Sequence, residues 1–412
     1  MARHAQTLIA GTIVATALYA ASANSVQAQE ASLVLNEQLL FGDVFAGQRL
    51  NVVEVRQQVT VANTALGNQI NGGSEGQGIA FQNRQSSHGD AHARTEMDFQ
   101  GQVSGLVTSV TQARANEASV AANNAALEID SRQSNYGLTL AQTVLENPEA
   151  YVTGGLQIST AAYGNNVVAG GRGTFISGEI EQNSSGETRA ESLTPARYVP
   201  GAAILTADAS ANAAQLSSNA TSGQRVSVRQ SSEGWTASES VSSAGNAWAS
   251  TTVATASANR LNAYNAGGSQ VITNDQESHG GVSSRASTFA YDYGDLRAMA
   301  EGTGNQASIT NQDIWLEIDN SQLNTGGVSV EAQLQGHNGY DAYVGANATG
   351  NSISGFACSD CGSVLTASSE QTNHGNVTAK AVTNISAQAR SVITGTTATG
   401  NSASFFITKP GG

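Results

Sequence analysis

The chain has 412 residues, with 44 Gly, 4 Pro and 2 Cys; 12% are charged, 5% are aromatic, and 18 Lys+Arg against 32 Asp+Glu leave a net charge of −14. An ordinary soluble enzyme carries about a quarter charged residues and a core of Leu, Ile and Phe; this composition excludes such a core, and also a coiled coil, which needs abundant Glu, Lys and Leu. The acidic surplus excludes nucleic acid and anionic membrane surfaces as partners, because both reward clusters of Lys and Arg.

The N-terminus reads as an export signal. Arg3 and His4 precede an apolar run from Leu8 to Ala21, followed by small-x-small sites at Ala21-Ser22-Ala23 and Val26-Gln27-Ala28. The second site predicts a signal peptide over 1–28 and a mature chain from Gln29. No later stretch approaches the ~18 apolar residues of a membrane-spanning helix. In an exported, oxidising setting, Cys358 and Cys361 predict a local disulfide. Four zinc ligands are not at hand, and the loop-like flanks lack the helix N-terminus that activates a redox thiol.

Beyond the signal, one pattern recurs. Q-x-x-x-G begins at Gln38, Gln85, Gln133, Gln182, Gln230, Gln276, Gln322 and Gln371, at spacings of 47, 48, 49, 48, 46, 46 and 49. An Asn preceded by Gly or Ala alternates with it, at Asn68, Asn116, Asn165, Asn212, Asn259, Asn305, Asn351 and Asn401. The step from Asn to the next Gln is 17 in five of seven cases, and 20 in the segment that holds the cysteines. A flexible linker would share this composition but would not keep register across eight copies, so the chain reads as a repeat protein.

Each Gln sits in a stretch with period-2 alternation, the signature of a strand. Leu316, Ile318, Asn320, Gln322, Asn324 and Gly326 share one face, and the residue two after each Gln is Ser or Asn except at Leu40. The approach to each Asn is a second strand of small residues, such as Ala207, Ala209 and Ala211. Asn71-Gly72-Gly73 and Asn265-Ala266-Gly267-Gly268 are expected as turns, and the four prolines lie outside the Gln strands, as a residue without an N–H must. Stacked at about 4.8 Å, such repeats bring identical amides within hydrogen-bonding reach. The predicted fold is all-β: a β-solenoid of about eight repeats over 29–408, with Asn/Gln ladders, a small-residue core and a tail at 409–412. One wide coil or two narrow coils per repeat both fit. Leu33-Val34-Leu35 and Phe405-Phe406-Ile407 are expected caps, and weak caps would let copies polymerise through exposed edges.

Chemistry is sparse. No nucleophile elbow, zinc-protease motif or phosphate loop occurs, and no cofactor is expected. His88, His279 and His374 share a repeat position but fall in separated copies, which favours turn residues over a metal column. Paired carboxylates would be needed for glycoside cleavage; the candidates are Asp313, Glu317 and Asp319, and separately Asp292, Asp295 and Asp341. Trp235, Trp248, Trp315 and Tyr340 are candidates for stacking on sugar rings, as against strand-favouring aromatics that simply cover a sheet.

The exported, Ala/Ser/Asn/Gln-rich repeats over nearly the whole mature chain resemble the holdfast attachment protein D family of stalked, surface-attached bacteria. The absence of catalytic motifs predicts a non-enzymatic chain, and the resemblance implies a protein at the outer membrane and cell surface that anchors a polysaccharide adhesin. The resemblance also implies partners: the polysaccharide, other anchor subunits and a lipoprotein similar to the curli secretion pore. A weaker similarity is to curlin-type repeats, with Gly304-Asn305 and Gln312 as the nearest local match. The alternative function is a polysaccharide-processing β-helix enzyme.

Overall fold

The computed structural model describes residues 31–358 and 364–408, so the expected signal over 1–28, Cys361 and the tail at 409–412 lie outside the described residues. The unit that begins at Ala31 is all-β among those residues. Its repeating element is clearest around Gln182. The strand Phe175–Ser184 carries this Gln and ends at a bend near Gly186, after which Thr188–Asn219 begins. That long strand shifts register between Val199 and Ala202, where the chain turns a corner, and its returning half carries Asn212. The next Gln strand, Gly223–Ser232, then starts the cycle again.

All strand pairing is parallel between successive cycles. Gln182 pairs with Gln230, and Asn212 with Asn259. Facing glutamines are 46 to 49 residues apart in sequence. A full repeat therefore makes one wide, flat coil, which resolves the choice left open by the spacing. One 8-stranded sheet runs from Ser32–Leu40 through the successive Gln strands to Val364–Asn373. A 14-stranded sheet forms the rest of each coil on both sides of the corner.

Contrary to the expectation from composition, large side chains fill much of the space between the walls, because the few Leu, Ile and Phe are concentrated on inward strand positions. Between the Gln strands and the later halves of the returning strands lie Phe81, Leu127, Ile129, Ile176 and Ile180, packed on Val120, Val167, Leu216 and Leu261. Each such side chain contributes about 1.5–3 kcal/mol when fully buried. On the other side of the coil one stretch of the interior is alanine, with Ala113, Ala141, Ala162, Ala190, Ala207 and Ala209 in one cluster, and nearer the corner Met97, Phe99, Leu145, Ile158 and Leu205 form another. Along the alanine stretch the walls come close enough for Thr143 Oγ1 to lie 2.8 Å from both Thr111 Oγ1 and Thr160 Oγ1. At this stretch small residues are the condition for contact, because a larger side chain here would hold the sheets apart.

Two sequence expectations change. Asn71-Gly72-Gly73 is not a turn: it lies inside the strand Gln58–Glu75. A Cβ on Gly72 would sit 3.1 Å from the Phe81 ring, so this glycine makes room for a core aromatic. The expected caps are end rungs instead. Val34 and Phe405 pack against the core, while Leu33, Leu35, Phe406 and Ile407 remain exposed. Among the described residues no helix is long and apolar enough to cross a membrane.

Candidate functional site

Two features stand out from the regular stack: files of amides inside it and a groove at its corner. The Asn markers form one file. From Asn68 to Asn351, each Nδ2 donates to the Oδ1 of the Asn in the next coil at 2.8–2.9 Å. The Gln markers form another, in which each Nε2 donates to the Oε1 of the preceding coil at 2.7–2.9 Å. The two files therefore run in opposite directions. Each amide spends its second N–H on the facing wall: Asn165 donates to the Asn183 carbonyl at 2.8 Å and Gln182 to the Ala213 carbonyl at 2.9 Å. These carbonyl acceptors fix which end of each amide is nitrogen. Between the two end coils the amides are buried with donors and acceptors matched, and each such bond contributes about 1 kcal/mol net.

The Gly of the Q-x-x-x-G pattern has a separate reason. A Cβ on Gly137, Gly186, Gly234, Gly280 or Gly326 would stand 2.0–2.2 Å from the carbonyl oxygen of the equivalent Gly one coil earlier. No side chain fits where backbone stacks this closely on backbone. A further polar network, not anticipated from the repeat, occupies the turn that leads into the later Gln strands. Gln270 donates to Gln224 Oε1 at 2.8 Å, Gln224 to Ser218 Oγ at 2.8 Å, and Asn265 to Asn311 Oδ1 at 2.9 Å.

The corner is different. A groove of about 570 Å³ runs along it across several coils. One wall is a register column, Tyr198–Asn246–Asp292–Asn338–Gln388, with one residue from each successive coil. The opposite rim holds Pro200, Trp248, Gly294 and Tyr340, and the floor includes Ala247, Tyr293 and Gly339. Trp248 is 64% exposed and Tyr340 51%. Their rings meet edge to face at 6.3 Å, and the Arg390 guanidinium covers Tyr340 at 5.5 Å. Gly294 is needed here, since its Cβ would press to 3.1 Å on the Trp248 indole. Tyr293 is buried on the floor; burial, and then the Asp341 charge, push its phenol above the usual tyrosine range.

The candidate carboxylates divide. Asp295 pairs with Arg297 at 2.7 Å, and Asp341 with Arg390. The Arg390 hydrogen bond holds the Asp341 carboxyl below its ordinary range, the wrong direction for the general acid of a glycosidase. Asp292 has no ion pair among the described residues; Asn338 Nδ2 reaches it at 3.4 Å. Glu317 and Asp319 are exposed on the face opposite buried Leu316 and Ile318, and Asp313 accepts the Gly268 N–H at 2.7 Å. His88, His279 and His374 are exposed, and His88 stacks between Phe41 and Tyr136. Among the described residues no cluster of His, Cys, Asp or Glu could hold a metal ion. Of the four candidate stacking aromatics, the groove brings Trp248 and Tyr340 together. Trp235 instead covers Gly281 near a Gly bend, and Trp315 opens a Gln strand. On the outer side of the returning strands, Tyr163 donates to Asp208 at 2.7 Å and Arg260 grips the same carboxylate at 3.0 Å.

The column wall was legible in principle. Tyr198, Asn246, Asp292 and Asn338 each fall sixteen residues after a marker Gln. A search for identical residues passes over this position because its chemistry changes from coil to coil.

The profile of the holdfast attachment protein D family matches residues 53–327. The chain belongs to that family. Membership carries a role in holdfast attachment and an envelope or surface location, and the family is one of structural attachment proteins, not enzymes. No curated protein and no solved structure matched the chain. The matched part of this holdfast attachment protein D relative includes Trp248 and Asp292, and ends before Asn338 and Tyr340.

Proposed function

We propose that the chain is an exported structural protein that anchors a polysaccharide adhesin to the outer membrane at the cell surface. The observation that carries this reading is the family match over residues 53–327, on a stack whose parallel pairing runs from its first strand to its last. In this reading the signal over 1–28 is removed, 29–408 acts as one solenoid, and the Gln and Asn files are the ladders that keep its coils in register. A load applied along the stack is then shared by backbone and side-chain hydrogen bonds in every coil, which suits an element under tension.

The partners in this reading are the adhesive polysaccharide, other anchor subunits and a lipoprotein similar to the curli secretion pore. Further copies of the chain are partners too, in an amyloid-like, head-to-tail polymer. The ends support that last point. The first coil offers the Asn68 Oδ1 and a Gln38 N–H, and the last coil offers an Asn401 N–H and the Gln371 Oε1; among the described residues these have no partner beyond the end. Donor would meet acceptor in both files if a second copy continued the stack.

The test is a deletion strain and its complemented parent. Loss of the chain should leave adhesive made but shed into the medium, with cell attachment to surfaces falling in parallel and restored on complementation. Cells that keep their adhesive without the chain, or a chain absent from the outer-membrane fraction of the complemented strain, would overturn the reading.

A further inference from the structure

The corner groove repeats with the coil. Its wall places one polar or aromatic side chain per coil in strict register, Tyr198, Asn246, Asp292, Asn338 and Gln388, at the ~4.8 Å spacing of paired strands. That step is close to the length of one sugar ring in an extended glycan chain. The facing rim supplies exposed ring surface at Trp248 and Tyr340, and Gly294 between them gives the Trp248 indole room to lie there. A pyranose has an apolar C–H face and a girdle of hydroxyls, so it needs a ring to lie on and amides or carboxylates beside it. The groove offers both along one line.

Charge selects among glycans. Asp295 and Asp341 are neutralised by Arg297 and Arg390, which leaves Asp292, among the described residues, as the unpaired charge of the wall. Set on a chain of net charge −14, that carboxylate repels a uronate and accepts hydrogen bonds from hydroxyl, acetamido N–H or ammonium groups.

We propose that the groove between the Tyr198–Gln388 column and the Trp248–Tyr340 rim binds a non-acidic glycan strand laid along the stacking direction, about one sugar per coil. The proposal rests on the anchoring reading for its biological sense, but not for its chemistry. The strand contacts several coils at once, so affinity grows with glycan length until the groove is filled.

The experiment uses the purified mature chain, with tryptophan fluorescence and calorimetry as readouts. The probes are hexamers and dimers of chitin-type and chitosan-type oligosaccharides, with alginate hexamers as the acidic counterpart. The non-acidic hexamers should bind at least about tenfold more tightly than their dimers and than alginate. Trp248→Ala and Tyr340→Ala should each weaken the hexamer by about tenfold, the usual worth of one aromatic platform. Asp292→Asn should lift the discrimination against alginate while keeping the fold, checked by circular dichroism. Trp315→Ala, outside the groove, should change nothing. Failure of every hexamer to bind, equal or better binding of alginate, or an equal loss in Trp315→Ala would each overturn the proposal. If shedding of the adhesive follows deletion of the chain but no oligosaccharide binds, the anchoring reading stands and the groove assignment falls.

Discussion

At the height of Gln182 every coil from Gln38 to Gln371 presents the same side chain, whereas at the height of Asn246 the column reads Tyr151, Tyr198, Asn246, Asp292, Asn338 and Gln388. Both columns belong to the same coils and are stacked by the same parallel pairing. They differ in what each residue needs from its neighbours. An interior amide must find a donor below and an acceptor above, so one misfit leaves two partners unpaired. A corner residue faces solvent and has only to let the chain turn.

Coil length varies in both legs while the amides stay in register. The returning leg, from each Asn to the carbonyl beside the next Gln, spans 18 residues in five of the seven coils and 19 and 21 in the other two. The outgoing leg, measured from Gln to the carbonyl after the Asn, varies from 30 to 33. The corner lies in that outgoing leg, and it absorbs the extra residues through a register shift at Val199/Ala202 and another at Gly336/Asn338. Insertions are therefore taken up in both legs, at the corner in the outgoing one and between Asn351 and Gln371 in the returning one, while the amides themselves keep their register.

The contrast can be broken from its rigid side first. Gly234→Ala should be the most damaging, since its Cβ would lie 2.1 Å from the Gly186 carbonyl oxygen; a loss of about 3 kcal/mol or more is expected in urea unfolding. Asn212→Leu should follow. It interrupts a file that joins Asn165 to Asn259 at 2.8 Å on either side, and the stranded amides should cost about 2 kcal/mol by the same measurement.

Tyr163 gives a smaller, pH-dependent effect. Burial, and then the Asp208 charge, raise its phenol well above the ordinary value. A raised acid favours the folded state fully below the unfolded pKa of about 10 and loses that stability as pH climbs toward the folded value. Stability should thus drop by about 1 kcal/mol by pH 11 through this group, and Tyr163→Phe should remove that part of the slope. The smallest effect belongs to the corner: Trp248→Ala should move stability by less than about 0.5 kcal/mol, since the indole is 64% exposed. A drop there as large as that of Asn212→Leu would erase the distinction between the two columns.

The same distinction governs what could be read in the sequence. Gln and Asn markers recur in type and spacing because hydrogen bonding between coils demands an identical partner, so the all-β stack was legible from them. Gly72 departs from its expected turn for a related reason. Glycine usually marks a turn, but here it yields space to Phe81 from inside a strand, and nothing in its neighbours reveals which residue lies across the core. The groove was half legible. Trp248 and Tyr340 were visible as aromatics among few, yet only the register shows that they share a rim and that Trp235 and Trp315 do not. Asn246, Asp292 and Asn338 are ordinary residues whose one signal is a constant distance from the marker Gln.

The opposed directions of the two amide files bear on how long such a protein can become. Peptide dipoles aligned head to tail, as in a helix, build up a field at each end. Here every coil adds one amide dipole pointing toward each end, so the side-chain files add no net moment however many coils are stacked. Extension by duplication of a coil is electrically neutral in this respect, and each added coil lengthens the stack by about 4.8 Å. The reach of the protein is then a matter of counting repeats, open to adjustment one coil at a time.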